Sequence, residues 1–220
     1  MEIPTPRMGS RRLWLAGVYH VTALRQSPDL APMADAIEPL MVELKTDAKA
    51  REDAEDALVP VRVRLVFLER DAERALRVVA TNASSLDGKR SGPTHSALFP
   101  DGVNAETRPK GPRQVEGVDR VINRLANSTV AEPLRAEHLP RLQAVKAALE
   151  AGLHARKVAT DAWAAAYAAE FSTREDFVRA YDGNAGAIRQ HFPKDRDTQD
   201  LYFDTFSSTR TAGQDEDEQA

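Results

Sequence analysis

Apolar residues recur along positions 30–85 with the heptad spacing of a helix that packs in a bundle or coiled coil. Seven of eight positions spaced seven apart are apolar, and six of the eight positions three residues later are apolar too. This register continues through Pro60, which has no Gly, Asn or Ser near it to form a turn. We therefore predict one long helix over about 30–85, bent near Pro60, with two shorter helices as the alternative. The first series consists of Leu30, Ile37, Leu44, Arg51, Leu58, Leu65, Ala72 and Val79.

A second long helical pattern begins at Pro133, which suits the first turn of a helix. Its apolar positions keep spacings of three and four over most of fifty residues. Ser172 and Glu175 have the spacing of a capping box, which predicts a kink or break near Ser172. The apolar stripe consists of Leu142, Val145, Leu149, Leu153, Ala159, Trp163, Tyr167, Phe171, Val178, Tyr181, Ala185, Ile188 and Phe192.

Two shorter segments also carry apolar patterns. Residues 114–127 place Val115, Val118, Ile122 and Leu125 on one face and predict a third helix. Residues 13–24 are apolar but of mixed propensity, so a short helix and an isolated strand both remain open.

Proline and glycine, four of each, interrupt residues 87–113, and we predict a long loop with Leu98 and Phe99 as its apolar anchor. Residues 201–206 are expected to pack aromatic side chains onto one end of the bundle. Residues 1–12 and the polar tail 207–220 carry no periodic pattern, and we predict that both are disordered.

Together these patterns predict an all-α protein. The expected architecture is an elongated antiparallel helical bundle of about four helices, two of them long and kinked near Pro60 and Ser172. We expect a single bundle domain over 13–206, which includes the 87–113 loop.

Composition adds constraints on function. The chain of 220 residues has no cysteine, which excludes disulfides, thiolate metal sites and thiol catalysis. Alanine occurs 35 times, which suits closely packed helices and is typical of a GC-rich bacterial genome. The formal charge of −4 resides in the last nine residues, which hold four acidic and no basic side chains. The remaining residues carry 30 acidic and 30 basic groups, so no overall field favours nucleic acid as a partner.

Recognised catalytic patterns are missing from the sequence. It contains no Walker motif, no Gly-x-Gly-x-x-Gly, no Gly-x-Ser-x-Gly and no His-Glu-x-x-His. The Glu-x-x-His motif of di-iron bundles is missing as well. Glu150 and His154, four residues apart, are the weak candidates for a metal site, although this spacing more often marks a surface pair. His138 is expected to be solvated. We therefore expect no catalytic residue, no cofactor and no bound metal.

Charged residues interrupt the first apolar stripe at Asp47 and Arg51. One interpretation is a polar layer that fixes helix register or binds a ligand, with Arg156 and Glu170 opposite. The other is that these positions lie where the helix extends beyond its neighbours and are simply hydrated. Asp47, Arg51, Arg156 and Glu170 are thus the weak candidates for a ligand-binding site.

These observations favour a non-enzymatic helical scaffold or protein–protein interaction protein that binds a protein partner or a second copy of itself. The alternative is a bundle that binds a small ligand or metal in a polar interior layer. No apolar run reaches the ~20 residues of a membrane span, and we expect a cytoplasmic location. Residues 10–15 resemble a twin-arginine export motif, but no Ala-x-Ala cleavage site follows them.

Overall fold

A computed structural model describes residues 2–205, and the regular structure in this range is helical, with no strand. The all-α prediction is therefore confirmed. The chain forms two compact units: a terminal unit, residues 2–54 with 163–205, and a central unit, Glu55–Ala162. The sequence predicted a single domain over 13–206 and did not predict this division into two units. The α-helices are α1 (Ser10–Leu24), α2 (Ala31–Leu86), α3 (Pro93–Leu98), α4 (Val103–Thr107), α5 (Pro112–Asn127), α6 (Glu132–His191) and α7 (Arg196–Asp200), and Pro28–Leu30 forms a 3-10 turn.

Two helices, α2 and α6, are far longer than the rest and contribute to both units. The helical conformation of α2 continues through Pro60, so the alternative of two shorter helices is wrong. Pro60 removes the hydrogen bond to the carbonyl of Asp56, but both residues are exposed, and water can solvate that carbonyl. No break occurs at Ser172 either. The bends, the antiparallel arrangement and the elongated bundle stay predictions, and the described residues contain more helices than the predicted four.

The terminal unit packs α1 against the first part of α2 and the last part of α6. The predicted stripe is buried here, with Leu30, Ile37 and Leu44 at most 3% exposed. Residues 13–24, for which the sequence left a helix and a strand open, are helical. The helix begins at Ser10, inside the segment 1–12 that was predicted to be disordered. The core consists of Leu13, Ala16, Val21, Leu24, Leu30, Ala34, Ile37, Met41, Leu44, Phe177, Tyr181, Ala185, Ile188, Tyr202 and Phe203.

Two aromatic residues near the end of the described chain complete this core. Tyr202 and Phe203 are buried, and the Tyr202 hydroxyl lies 2.8 Å from the Ser27 Oγ. The Tyr202 ring stacks on that of Phe192 with 5.7 Å between centroids. Aromatic packing by this segment is thus as predicted for these two residues. Phe206 and the predicted disordered tail 207–220 lie outside the described residues.

The central unit packs the second part of α2 against α5 and the first part of α6. The helix predicted over 114–127 is confirmed and begins two residues earlier, at Pro112. Val118, Val121 and Leu125 on one side of α5 are fully buried. Other fully buried side chains are Leu76, Leu98, Leu142 and Leu149.

The segment 87–113 is not the continuous loop that the sequence predicts. It contains α3, α4 and the start of α5, separated by bends at which Gly88, Gly102 and Gly111 adopt φ of 64°, 82° and 64°. The backbone N–H groups of Thr94 and His95 donate to the Asp87 carboxylate at 3.0 and 2.9 Å. Pro93 and Pro112 occupy the first turn of α3 and α5, where proline is tolerated, so the segment forms short helices and not a continuous loop. Leu98 and Phe99 are buried as predicted.

Gly117 permits the close approach of α4 to α5. A Cβ added at Gly117 would lie 2.9 Å from the Glu106 carbonyl oxygen, which is a backbone atom that cannot easily move. Gly183 of α6 offers a contrast, because an added Cβ there would meet no atom within 4 Å.

We expect Gly117→Ala and Gly183→Ala to shift stability in opposite directions. Gly117→Ala should lower the free energy of unfolding by roughly 1–3 kcal/mol because the α4 backbone must shift. Gly183→Ala should raise it by roughly 0.5–1 kcal/mol because alanine favours the helix. Urea denaturation of the two variants and the parent measures both values. Equal effects from the two substitutions would contradict the close packing of α4 on α5.

Candidate functional site

A buried carboxylate lies at the centre of the polar interior of the terminal unit. Glu170 of α6 is 1% exposed. Its Oε1 accepts hydrogen bonds from the Ser10 hydroxyl and from Arg174 Nη2, both at 2.5 Å. Its Oε2 lies 2.7 Å from Arg51 Nε of α2. One carboxylate therefore connects three helices, α1, α2 and α6.

Two further hydrogen bonds extend this network. Arg174 Nε donates to the Ser10 Oγ at 2.7 Å, so the serine hydroxyl accepts one hydrogen bond and donates another. The Thr173 hydroxyl donates to Asp47 Oδ2 at 2.6 Å. Consecutive residues of α6 thus hold the first residue of α1 and a polar position of α2. We call Ser10, Asp47, Arg51, Glu170, Thr173 and Arg174 the Glu170 network.

The arginines keep Glu170 ionised. Burial by itself raises the pKa of Glu170, but the hydrogen bonds from Ser10 and Arg174 and the charges of Arg174 and Arg51 outweigh this effect. The net result is a pKa below the ordinary value for glutamate. A carboxylate held ionised by two arginines and a hydroxyl is a poor proton donor or acceptor near neutral pH. Its chemistry suits orientation of helices more than catalysis.

The network brings together three of the four residues proposed from the sequence. Asp47, Arg51 and Glu170 lie in it, whereas Arg156 is exposed on α6 in the central unit. Arg174, one turn beyond Glu170, supplies the second guanidinium in place of Arg156. The i,i+4 spacing of Glu170 and Arg174 is a sequence signal for this pair. Ser10 had no such signal, because residues 1–12 were predicted to be disordered.

The predicted metal candidates lie apart from this network. Glu150 and His154 are both exposed, and Glu150 Oε1 lies 3.9 Å from the Lys146 ammonium. Within residues 2–205, no group of three His, Asp or Glu side chains is arranged to hold a metal ion.

The central unit contains a second buried carboxylate between two arginines, which the sequence analysis missed. Glu106 of α4 is 3% exposed. Its Oε2 accepts from Arg120 Nη2 at 2.7 Å, and its Oε1 accepts from Arg124 Nη1 at 2.9 Å. Burial by itself raises the pKa of Glu106, but the hydrogen bonds and charges of the two arginines outweigh this effect. The net result is a pKa below the ordinary value for glutamate. Arg120 and Arg124 lie four apart on α5, but their partner lies in a segment predicted to be a loop.

Two buried histidines each pair with an asparagine of a long helix. His20 Nδ1 lies 2.8 Å from the Tyr202 carbonyl oxygen, and its Nε2 lies 3.1 Å from Asn184 Nδ2. His138 is 1% exposed, and its Nε2 lies 2.9 Å from Asn82 Nδ2. The prediction that His138 is solvated is therefore wrong, because it occupies a buried position of α6 at the central core. Burial lowers the pKa of His20 and outweighs its backbone hydrogen bond.

A surface groove of about 1140 Å³ lies in the terminal unit and is lined by residues of α1 and of the first part of α2. Trp14 of α1 lines one side, with the Lys45 ammonium 5.4 Å from its ring centroid. Acidic, basic and apolar side chains alternate around the groove, and no single ligand chemistry is favoured. The lining consists of Trp14, Asp35, Glu38, Pro39, Met41, Val42, Lys45, Thr46, Lys49, Ala50 and Asp53.

Four large apolar side chains of α2 are exposed on one face of the central unit. Val59, Val63, Val66 and Phe67 are 53%, 52%, 61% and 65% exposed. Their spacing of three and four places them on one side of the helix. The opposite side carries Leu65 and Leu68, which contact Gly152 of α6. We call these four residues the α2 apolar face.

Searches against known protein families, curated proteins and solved structures find no match to this chain. Among the described residues, no helix is both long and apolar enough to cross a membrane.

We expect Glu170→Gln to destabilise the protein by about 3 kcal/mol, because the substitution leaves the two arginines without a counter-charge in a buried site. Glu175→Gln is the matched control, since Glu175 lies on the same helix and is exposed. Thermal and chemical unfolding of both variants gives the difference. A Glu170→Gln variant as stable as Glu175→Gln would show that the Glu170 network contributes little to stability.

We expect stability to fall as the pH drops below about 6.5, the ordinary pKa of histidine. The folded pKa of His20 is lowered, so the unfolded chain binds the proton more readily and acid favours unfolding. The contribution of neutral His20 is complete above that pH and is lost as the pH falls toward the folded pKa. Unfolding curves between pH 5 and 7.5 of the parent, His20→Gln and the exposed-site control His154→Gln measure it. The pH dependence should weaken in His20→Gln alone; an unchanged dependence there would exclude His20 as its source.

Proposed function

We propose that the protein is a non-enzymatic helical scaffold that binds another protein chain through the α2 apolar face. The single observation that supports this most strongly is the exposure of Val59, Val63, Val66 and Phe67 in one row. Single exposed apolar residues are ordinary on protein surfaces, but a contiguous row on one helix is typical of a docking site. Burial of such a row in a partner removes apolar area from water and so favours association.

The two buried carboxylates support a scaffold more than an enzyme. Glu170 and Glu106 are each held ionised by two arginines: both oxygens of Glu106 accept hydrogen bonds from arginines, and Glu170 Oε1 accepts from Ser10 and Arg174 while Arg51 Nε lies 2.7 Å from Oε2. A scaffold needs helices fixed in one register, and buried ion pairs are one way to specify it. A cytoplasmic location is part of this proposal and is supported by the cysteine-free composition.

The alternative function is a bundle that binds a small ligand or metal in its polar interior. The Glu170 network is the place that the sequence suggested for it. Its Oε1 already accepts from Ser10 and Arg174, and Arg51 Nε lies 2.7 Å from the buried Oε2, so a ligand would have to displace one of these side chains to reach the carboxylate. The geometry therefore favours the scaffold.

A photo-crosslinking experiment tests the scaffold proposal. The residue p-benzoylphenylalanine, introduced at position 67 of the full chain in the source cells, should yield an adduct of defined mass after irradiation. Adding Val63→Glu should reduce that adduct about tenfold or more, since a charge in the interface costs more than 1.4 kcal/mol. The same photo-reactive residue at position 158 is the control, because Val158 is 54% exposed in the same unit. Equal, diffuse labelling from both positions would overturn the proposal.

A further inference from the structure

A second, smaller groove lies on the terminal unit and shares Trp14 and Lys45 with the larger one. Its volume is about 280 Å³, and we call it the Arg11 groove. A cleft with apolar walls and charges of one sign concentrates the electrostatic field, so this groove attracts anions. Its lining, which contains two basic side chains and no acidic one, consists of Ser10, Arg11, Trp14, Leu15, Lys45 and Ala48.

The two basic side chains of the Arg11 groove are not used within the described fold. Arg11 and Lys45 are both exposed, and among residues 2–205 neither has an ion-pair partner. The Lys45 ammonium lies 5.4 Å from the centroid of the Trp14 ring, a contact that leaves its charge without a counter-ion. The first turn of α1, which carries Arg11, contains no acidic residue either.

The acidic side chains of α2 do not neutralise this groove. Glu43 and Asp47 are each two residues from Lys45 and therefore lie about 160° around the helix from it, and Asp47 belongs to the Glu170 network. Four others lie 2.7–3.6 Å from the cationic groups of Arg25 or Lys49, and they are Asp35, Glu38, Glu52 and Asp53. The charge that remains available at the groove is positive.

The end of the same chain supplies the complementary charge. Positions 215–218 are four consecutive acidic residues, which we call the acidic segment. The chain is held against α1 shortly before it, because the Tyr19 hydroxyl donates to the Leu201 carbonyl oxygen at 3.2 Å. One residue further, the Tyr202 carbonyl oxygen lies 2.8 Å from His20 Nδ1. The acidic segment is therefore tethered to the helix that carries Arg11.

The length of this tether matches the distance to the groove. Tyr19 and Arg11 are eight residues apart on α1, which corresponds to about 12 Å along the helix axis. Position 215 follows Thr205 by ten residues, and a flexible chain of that length has an r.m.s. end-to-end distance of about 17–19 Å. Such a tether gives the acidic segment an effective concentration in the millimolar range at the groove. A second copy at micromolar concentration competes poorly with it.

We propose that the acidic segment occupies the Arg11 groove of its own chain. The kind of partner that fits this groove is thus an acidic peptide, and the protein carries one itself. An external acidic peptide has to displace the segment before it can bind, so the contact restricts access to the groove. The contact lies in the terminal unit and does not depend on the α2 apolar face.

Engineered cysteines locate the acidic segment, because the chain has no cysteine of its own. Gln219→Cys leaves all four acidic residues in place and is combined with Ala48→Cys at the groove. The matched control combines it with Thr22→Cys, an exposed position of α1 within one turn of Tyr19. A segment without a preferred site would reach the exposed Thr22 position at least as readily as the partly buried Ala48 position.

The expected result is a faster intramolecular disulfide at the groove. On mild oxidation at low salt, the Ala48→Cys pair should crosslink about tenfold faster or more than the Thr22→Cys pair. Raising the salt to about 0.5 M should remove most of this difference, because it screens exposed charges. Non-reducing electrophoresis and mass spectrometry measure the rates and separate monomers from covalent dimers.

Charge reversal tests the pairing itself. In the Ala48→Cys pair, Arg11→Glu with Lys45→Glu should slow crosslinking about tenfold or more, because like charges then face each other. Replacing the four acidic residues by lysine in that variant should restore the rate. Arg62→Glu with Arg64→Glu is the matched control, since it reverses two exposed charges of the central unit and should leave the rate unchanged.

Equal rates at the two cysteine positions, or a rate that ignores salt and both reversals, would overturn the proposal. A covalent dimer through the Ala48→Cys pair would place the acidic segment of a second copy in the groove and would overturn the same-chain arrangement. Circular dichroism of each variant checks that the helices are unchanged, and the salt series needs no charge substitution at all.

Discussion

Each unit of this protein contains a buried carboxylate that lies between two arginines and connects helices. Glu170 joins α1, α2 and α6 in the terminal unit, and Glu106 joins α4 to α5 in the central unit. Aliphatic cores rich in alanine pack closely but specify position weakly, because small side chains fit several registers. A buried ion pair with directed hydrogen bonds disfavours the shifted registers, because sliding a helix would leave a buried charge unpaired. Burial of apolar surface supplies the driving force for folding, and the ion pairs favour one register of each helix against its neighbours.

The long helices could be predicted because their apolar spacing outweighs local breakers. The stripe from Leu30 to Val79 is buried along most of its length, and Pro60 does not end the helix because it lies on the exposed side. The 87–113 segment could not be predicted in the same way. Its helices are too short for a periodic pattern, and tertiary contacts such as those of Asp87 and Glu106 stabilise them.

The polar site was predictable only in part, for the same reason. Asp47 and Arg51 interrupt a strong stripe, which marks them as unusual, and Glu170 was paired with them correctly. The choice between Arg156 and Arg174 depends on where α6 lies against α2, and no periodic pattern contains that information. Ser10 belongs to the network only because α1 docks there, so no local signal exists. His138 was misplaced because its burial depends on the packing of the central unit.

The chain order of the two units has a consequence for biosynthesis. The central unit is continuous in sequence, Glu55–Ala162, so all of its core residues leave the ribosome together. The terminal unit combines residues from both sides of it and includes Tyr202 and Phe203 in its core. The apolar residues of its N-terminal part therefore stay exposed until the C-terminal residues of the same core have been translated. For most of its synthesis such a nascent chain exposes apolar surface, which favours aggregation until the terminal unit can close.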